Sequence, residues 1–137
     1  MPVATPAVEG VSPPQPSRET PDASMVLACI AAQAADDKQG SDIIVLNVGD
    51  VLAIAELFVI TSASNLPQVR TIANEVSSRI REHLGISPLH SEGLGEQQWI
   101  LLDYGDVVVH IFAEPTRQFY EIERLYADVP VIDWRAT

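Results

Sequence analysis

Few side chains in this sequence are of a type and spacing that do chemistry, and most are explained by local structure. Gly93-Leu94-Gly95 is the nearest approach to a phosphate loop. Such a loop must open a helix so that backbone N–H groups face the phosphate, whereas this one leads into the apolar run starting at Trp99. It reads as a flexible hairpin loop. His83, His90 and His110 share no helix face and have no cysteine near them in sequence, so no zinc site is expected. Asp103 and Asp106 flank a single turn. Paired carboxylates there could hold magnesium or move protons, but Asp at such positions also bonds nearby backbone amides, and the turn role is favoured. No Ser or Cys stands in a nucleophile-elbow setting with a histidine and an acid to activate it. The lone cysteine, Cys29, lies in an Ala-rich helical pattern and reads as a structural thiol in a reducing compartment.

What remains is Trp99-Ile100-Leu101-Leu102-Asp103-Tyr104-Gly105. Alternation along a strand places Trp99 and Leu101 on one face and Ile100 and Leu102 on the other, so both faces carry large apolar groups. Either helices cover both faces, or one face is a docking patch. Trp and Tyr beside a turn are favoured interface residues.

These residues must be positioned by one domain, since 137 residues hold one hydrophobic core. A first helix is expected from Ser24 to Lys38, capped by Ser24 or Asp22 and stopped at Gly40. The β-branched run Asp42 to Val48 reads as a central strand covered on both faces, and Leu57 to Thr61 as a second. A capping-box pattern, Asn65 with Gln68, opens the clearest helix. Its apolar stripe is Val69, Ile72, Ala73, Val76, Ile80 and Leu84, and Gly85 ends it. An extended segment, Ile86 to Ser91, then suggests a right-handed crossover to a parallel partner. Trp99–Asp103 and Asp106–Phe112 form a β-hairpin about Tyr104-Gly105. A last helix begins near Pro115 with Phe119, Ile122 and Leu125 or Tyr126 on its apolar face, and Ala127 to Thr137 is a tail. The sum is an α/β domain with a mixed five-stranded sheet flanked by helices, over residues 24–137. Residues 1–23 hold six of the ten prolines and no aromatic residue, and read as a disordered extension.

Composition narrows the partners. No apolar stretch approaches the roughly 20 residues of a spanning helix, and the amino terminus does not read as a signal peptide, so a cytoplasmic protein is expected. The net charge of −11, with eight scattered Lys and Arg, disfavours direct sequence-specific binding to nucleic acid. A basic protein partner would instead be attracted.

From Ser41 to Asp133 the chain resembles the ribosomal silencing factor family, also called Iojap-like. The matching blocks are Ser41-Asp42-Ile43-Ile44-Val45-Leu46, Phe58-Val59-Ile60 with Ser62 and Ser64, Gln68-Val69, and Glu92-Gly93. The more specific blocks are Trp99 through Phe112 and Arg117 through Tyr126. The resemblance implies a nucleotidyltransferase-like fold without catalysis or cofactor. It implies binding to the large ribosomal subunit through large-subunit ribosomal protein fourteen, a steric block to small-subunit joining, and lower translation under nutrient limitation. Homodimers are common in the family. Carried over by position, Trp99, Leu101, Asp103, Tyr104 and Gly105, with His110 and Arg117 behind them, would contact the partner. The chain departs from the family at Asn47, Glu56, Ala63 and Pro67, where Asp, Asp, Gly and Arg are usual. A second function, a nucleotidyltransferase-like enzyme using magnesium and a nucleoside triphosphate, would need a carboxylate pair such as Asp-x-Asp on a strand, and none is present.

Overall fold

The computed structural model describes residues 22–136. Most of the expected proline-rich extension, residues 1–21, lies outside that range. Helix α1 (Ala23–Asp37) is capped by Asp22, whose carboxylate accepts from the Ser24 amide. Its small residues, Ala28, Ala31, Ala32 and Ala35, are fully buried and let the helix lie close on the sheet. Helix α2 (Leu66–Leu84) starts at Asn65, which accepts from the Gln68 amide at 2.8 Å. The Gln68 side chain does not complete a capping box. It donates to the Lys38 and Gln39 carbonyls and so ties the start of α2 to the end of α1. Five of the six expected stripe residues of α2 are buried; Leu84, in the last turn, is partly exposed.

The strands are β1 (Ser41–Asn47), β2 (Leu57–Ala63), β3 (His90–Glu92), β4 (Trp99–Asp103), β5 (Val107–Ala113) and β6 (Val131–Ile132). They form one mixed sheet in the order β3-β4-β5-β2-β1-β6. Only β2 and β5 pair in parallel. Every residue of β2 is buried, as its unbroken apolar run requires of a strand covered on both faces. The β4–β5 hairpin forms as expected, with Leu101 opposite His110.

Three expectations are corrected. The sheet has six strands, because Val131 and Ile132 in the supposed tail pair with Leu46 and Val45 of β1. Trp134 just beyond them is buried against the core. A two-residue strand carries too little periodicity to be read from sequence. The crossover through α2 does not lead to a neighbouring parallel strand; β3 pairs antiparallel with β4, and the parallel partner of β2 is β5. The last helix is two short pieces, α3 (Glu114–Tyr120) and α4 (Ile122–Leu125), broken at Glu121 with φ 46°. The break turns Phe119 and Leu125 outward, while Ile122 is buried and Tyr126 packs edge-on against Phe58.

The two faces of the sheet are covered differently. Helices α1 and α2 bury Val45, Val59, Val109, Ile111, Ile100 and Leu102. The opposite face is covered by residues 48–56 and the α3–α4 segment, around Leu46, Phe58, Ile60, Phe112 and Ile122. That second cover reaches β4 only at Trp99, and leaves Leu101 and Asp103 beyond it.

Candidate functional site

On the face away from the helices, register places Trp99, Leu101 and Asp103 of β4 beside Phe112, His110 and Val108 of β5. The next row is Ser62, Ile60 and Phe58 of β2. Trp99 packs on Phe112 and Tyr120, with ring centres 4.7 and 5.1 Å away. Its indole N–H donates to His110 Nδ1 at 3.2 Å. An indole nitrogen only donates, so Nδ1 is the unprotonated nitrogen of the neutral ring and Nε2 carries the proton. Phe58 meets the imidazole edge-on at 4.6 Å. His110 is only 5% exposed, and burial pushes its pKa down to about 4. It is therefore neutral at physiological pH. Nε2 is shut off from solvent and has no acceptor among the described residues.

Beside this histidine the sheet is bare enough to form a groove of about 300 Å³. Its floor is Leu101, Val108, Phe58 and His110, with Asp103 and Gly105 at one end. Two side chains stand at its margins: Ile54, 84% exposed, from the 48–56 loop, and Leu89, 79% exposed, ahead of β3. The loop is held shut at its base by Val48 N–H to the Glu56 carbonyl, and by Glu56 N–H to the Asp106 carbonyl, each 2.8 Å. The loop anchored in this way presents Ile54 to water.

Of the seven residues nominated from sequence, Leu101, Asp103, Gly105 and His110 line this groove. Trp99 lies one register step beyond, behind His110. The other two are placed elsewhere. Tyr104 faces the helices, in the main core; burial pushes its phenol up to about 12, partly countered by Ser77. The alternation that puts Trp99 and Leu101 on one face puts even-numbered residues on the other, so Tyr104 is not an exposed tip. Arg117 is an internal clamp. It donates to Glu123 (2.9 Å), to the carbonyls of Ser41 and Asp42, and to Ser62 Oγ, joining α3 and α4 to β1 and β2. Asp103 accepts from the Gly105 amide at 2.8 Å, whereas Asp106 accepts from the Ser24 hydroxyl of α1, so only Asp103 serves the turn. Among the described residues no three of His, Cys, Asp and Glu gather to hold a metal. Gly93 has φ 81°, and a side chain there would strike the Trp99 carbonyl, so this position of the loop requires glycine.

Sequence reasoning missed Ile54 and Leu89. The available signal was the loop Val51-Leu52-Ala53-Ile54, four apolar residues between strands with no pattern that would bury them. A larger cleft, about 650 Å³, lies on the helix side beside Met25, Cys29 and Trp134. It holds none of the nominated residues, and its Arg79 is already paired with Asp37 and Glu75 at 2.6 Å each.

Residues 20–137 match the family described as "Ribosomal silencing factor during starvation". This chain belongs to that family. A ribosomal silencing factor of Bacillus subtilis is 39% identical over 104 residues, 76% of this chain and 87% of that protein. The chloroplastic Iojap protein of Zea mays is 34% identical, covering 88% of this chain and 53% of its own length. Among solved structures, a protein from Chromobacterium violaceum superposes with a TM-score of 0.73 at 31% identity, over 76% of this chain and 86% of that one. One from Bacillus halodurans gives 0.69 at 32% identity. Both solved proteins thus share the fold of this chain. No helix among the described residues is long and apolar enough to cross a membrane.

Proposed function

We propose that this silencing factor acts in the cytoplasm by docking its helix-free sheet face on the large ribosomal subunit, at large-subunit ribosomal protein fourteen. Occupancy of that surface blocks the small subunit from joining and lowers translation when nutrients are short. The observation that carries the reading is an apolar groove, lined by Leu101 and His110 and flanked by exposed Ile54 and Leu89, on a chain of net charge −11. A groove with exposed aliphatic margins suits a protein partner better than water, and the negative charge favours a basic one. An interface of ordinary size, about 1,600 Å², extends beyond the groove to its surroundings. A nucleotidyltransferase-like ancestry of the sheet accords with this use of the scaffold for binding, without chemistry.

The test is sedimentation. Added before the small subunit, the protein should pellet with free large subunits and reduce the fraction of joined ribosomes. Trp99→Ala should weaken binding by about 2 kcal/mol, because loss of the indole removes the hydrogen bond that orients His110. Joining at the same rate with the protein in excess would refute the function. Sedimentation equilibrium of the free protein tests whether two copies pair, as the family resemblance implies.

A further inference from the structure

We infer that the groove between Ile54 and Leu89 seats one branched aliphatic side chain from a basic segment of the large-subunit partner, and that His110 Nε2 donates to a backbone carbonyl next to it. This deepens, and rests on, the docking reading above. Three independent observations converge on it.

The first is shape. Ile54 and Leu89 come from segments 35 residues apart in sequence, yet both line the one groove whose floor is Leu101 and Phe58. Both are more than three-quarters exposed. A concave apolar floor with two aliphatic margins matches a branched side chain that would otherwise be hydrated.

The second is charge. The groove lining includes Asp103 and no Lys or Arg, and Glu92 projects on the same sheet face opposite Leu101. A segment that carries its aliphatic side chain among Lys and Arg meets carboxylates around the seat, while an acidic segment is repelled.

The third is the imidazole. Trp99 fixes the tautomer by taking Nδ1 as its acceptor, which leaves the Nε2 proton without an acceptor among the described residues. A buried donor with no acceptor is costly, so a ligand that supplies one gains more than an ordinary exposed pair would give. A carbonyl flanking the inserted side chain reaches it as the groove side chains part. A partner whose segment lacks a free carbonyl there is discriminated against.

The experiment uses the full chain and purified large subunits, with dissociation constants from sedimentation. Ile54→Ser and Leu89→Ser alter exposed positions, add no charge to the seat and leave the fold intact, as circular dichroism will verify. Each should weaken binding at least tenfold. His110→Phe fills the same space without a donor and should weaken it about three- to tenfold. Phe119→Asp, at an exposed position of α3 outside the groove, should change it less than twofold. If the wild-type protein pellets with large subunits but Ile54→Ser and Leu89→Ser bind as tightly, the seat is refuted while the docking function stands. Loss of binding in Phe119→Asp alone would likewise refute it and relocate the interface. If the wild-type protein itself does not pellet, the docking function fails and this inference with it. Unchanged binding by His110→Phe would refute the hydrogen bond.

Discussion

Acidification should destabilise this fold through His110, and the size of the effect follows from its surroundings. The ring sits among Phe58, Trp99 and Phe112, 5% exposed, with a folded pKa of about 4. In the unfolded chain the pKa returns to about 6.5. Between those values the unfolded state binds the extra proton, so stability falls as pH falls. Above pH 6.5 the ring is neutral in both states and contributes no pH dependence. At pH 5 the difference amounts to about 2 kcal/mol, and it approaches about 3 kcal/mol well below pH 4. Carboxylates also titrate over this range, so the assay must isolate the histidine. Urea unfolding of wild type and His110→Phe, measured from pH 7.5 to 4.5, does so by difference. The carboxylate terms are common to both proteins and cancel. The wild type should lose about 2 kcal/mol of stability relative to His110→Phe as pH falls from 7 to 5. Parallel curves would show that the imidazole is solvated or charged in the folded protein, and the derived tautomer and orphaned N–H would fall with it.

Other consequences follow from single residues. Replacing Arg117 by Met removes four internal hydrogen bonds and leaves Glu123 unpaired in a half-buried site, which should cost about 3 kcal/mol in urea unfolding. Adding Glu123→Gln should restore part of it. The three glycines at positive φ should respond to alanine in a fixed order of thermal midpoints. Gly93→Ala is the most damaging because its Cβ meets the Trp99 backbone. Gly85→Ala, with nothing within 4 Å, should cost only the left-handed penalty of about 1 kcal/mol. Gly105→Ala lies between, its Cβ 3.5 Å from Leu89. Asn65→Ala should lower stability by about 1 kcal/mol through loss of the α2 cap, and equal stability would show that the cap is redundant.

Much of the architecture was legible because its signals are local. The α2 stripe, the Asn65 cap, the unbroken run of β2 and the Asp-Gly turn between β4 and β5 each state their structure within a few residues. What was not legible depends on distant partners. Val131 and Ile132 form a strand only because β1 offers them an edge, and Phe119 is exposed because Glu121 adopts a left-handed conformation that no propensity foretells. The site divides the same way. Alternation along β4 placed Leu101 with Trp99 and, followed two residues further, would have sent Tyr104 to the core. Arg117 was named on resemblance, and nothing local to it shows that its guanidinium reaches back to Ser41, 76 residues away. Ile54 and Leu89 become neighbours of the groove only through the fold.

The unequal covering of the two faces explains why a docking groove lies where it does. A sheet whose middle strand is apolar on both sides must be covered on both sides, and β2 is buried at every position. Two helices suffice for one face. On the other, the chain has only the nine residues before β2 and the broken α3–α4 segment, which reach from β1 across β2 to Phe112 and Trp99. Beyond His110 none of the described residues continues the cover, yet β4 still carries Leu101 and β5 still carries Val108, because alternation within a paired hairpin assigns them to that face. Truncated cover therefore converts a structural necessity into an apolar concavity at the edge of the core. Its position next to a buried imidazole is a consequence of the same boundary: His110 sits at the last row that the cover reaches, so one of its nitrogens is satisfied from the covered side by Trp99 and the other is not satisfied from within.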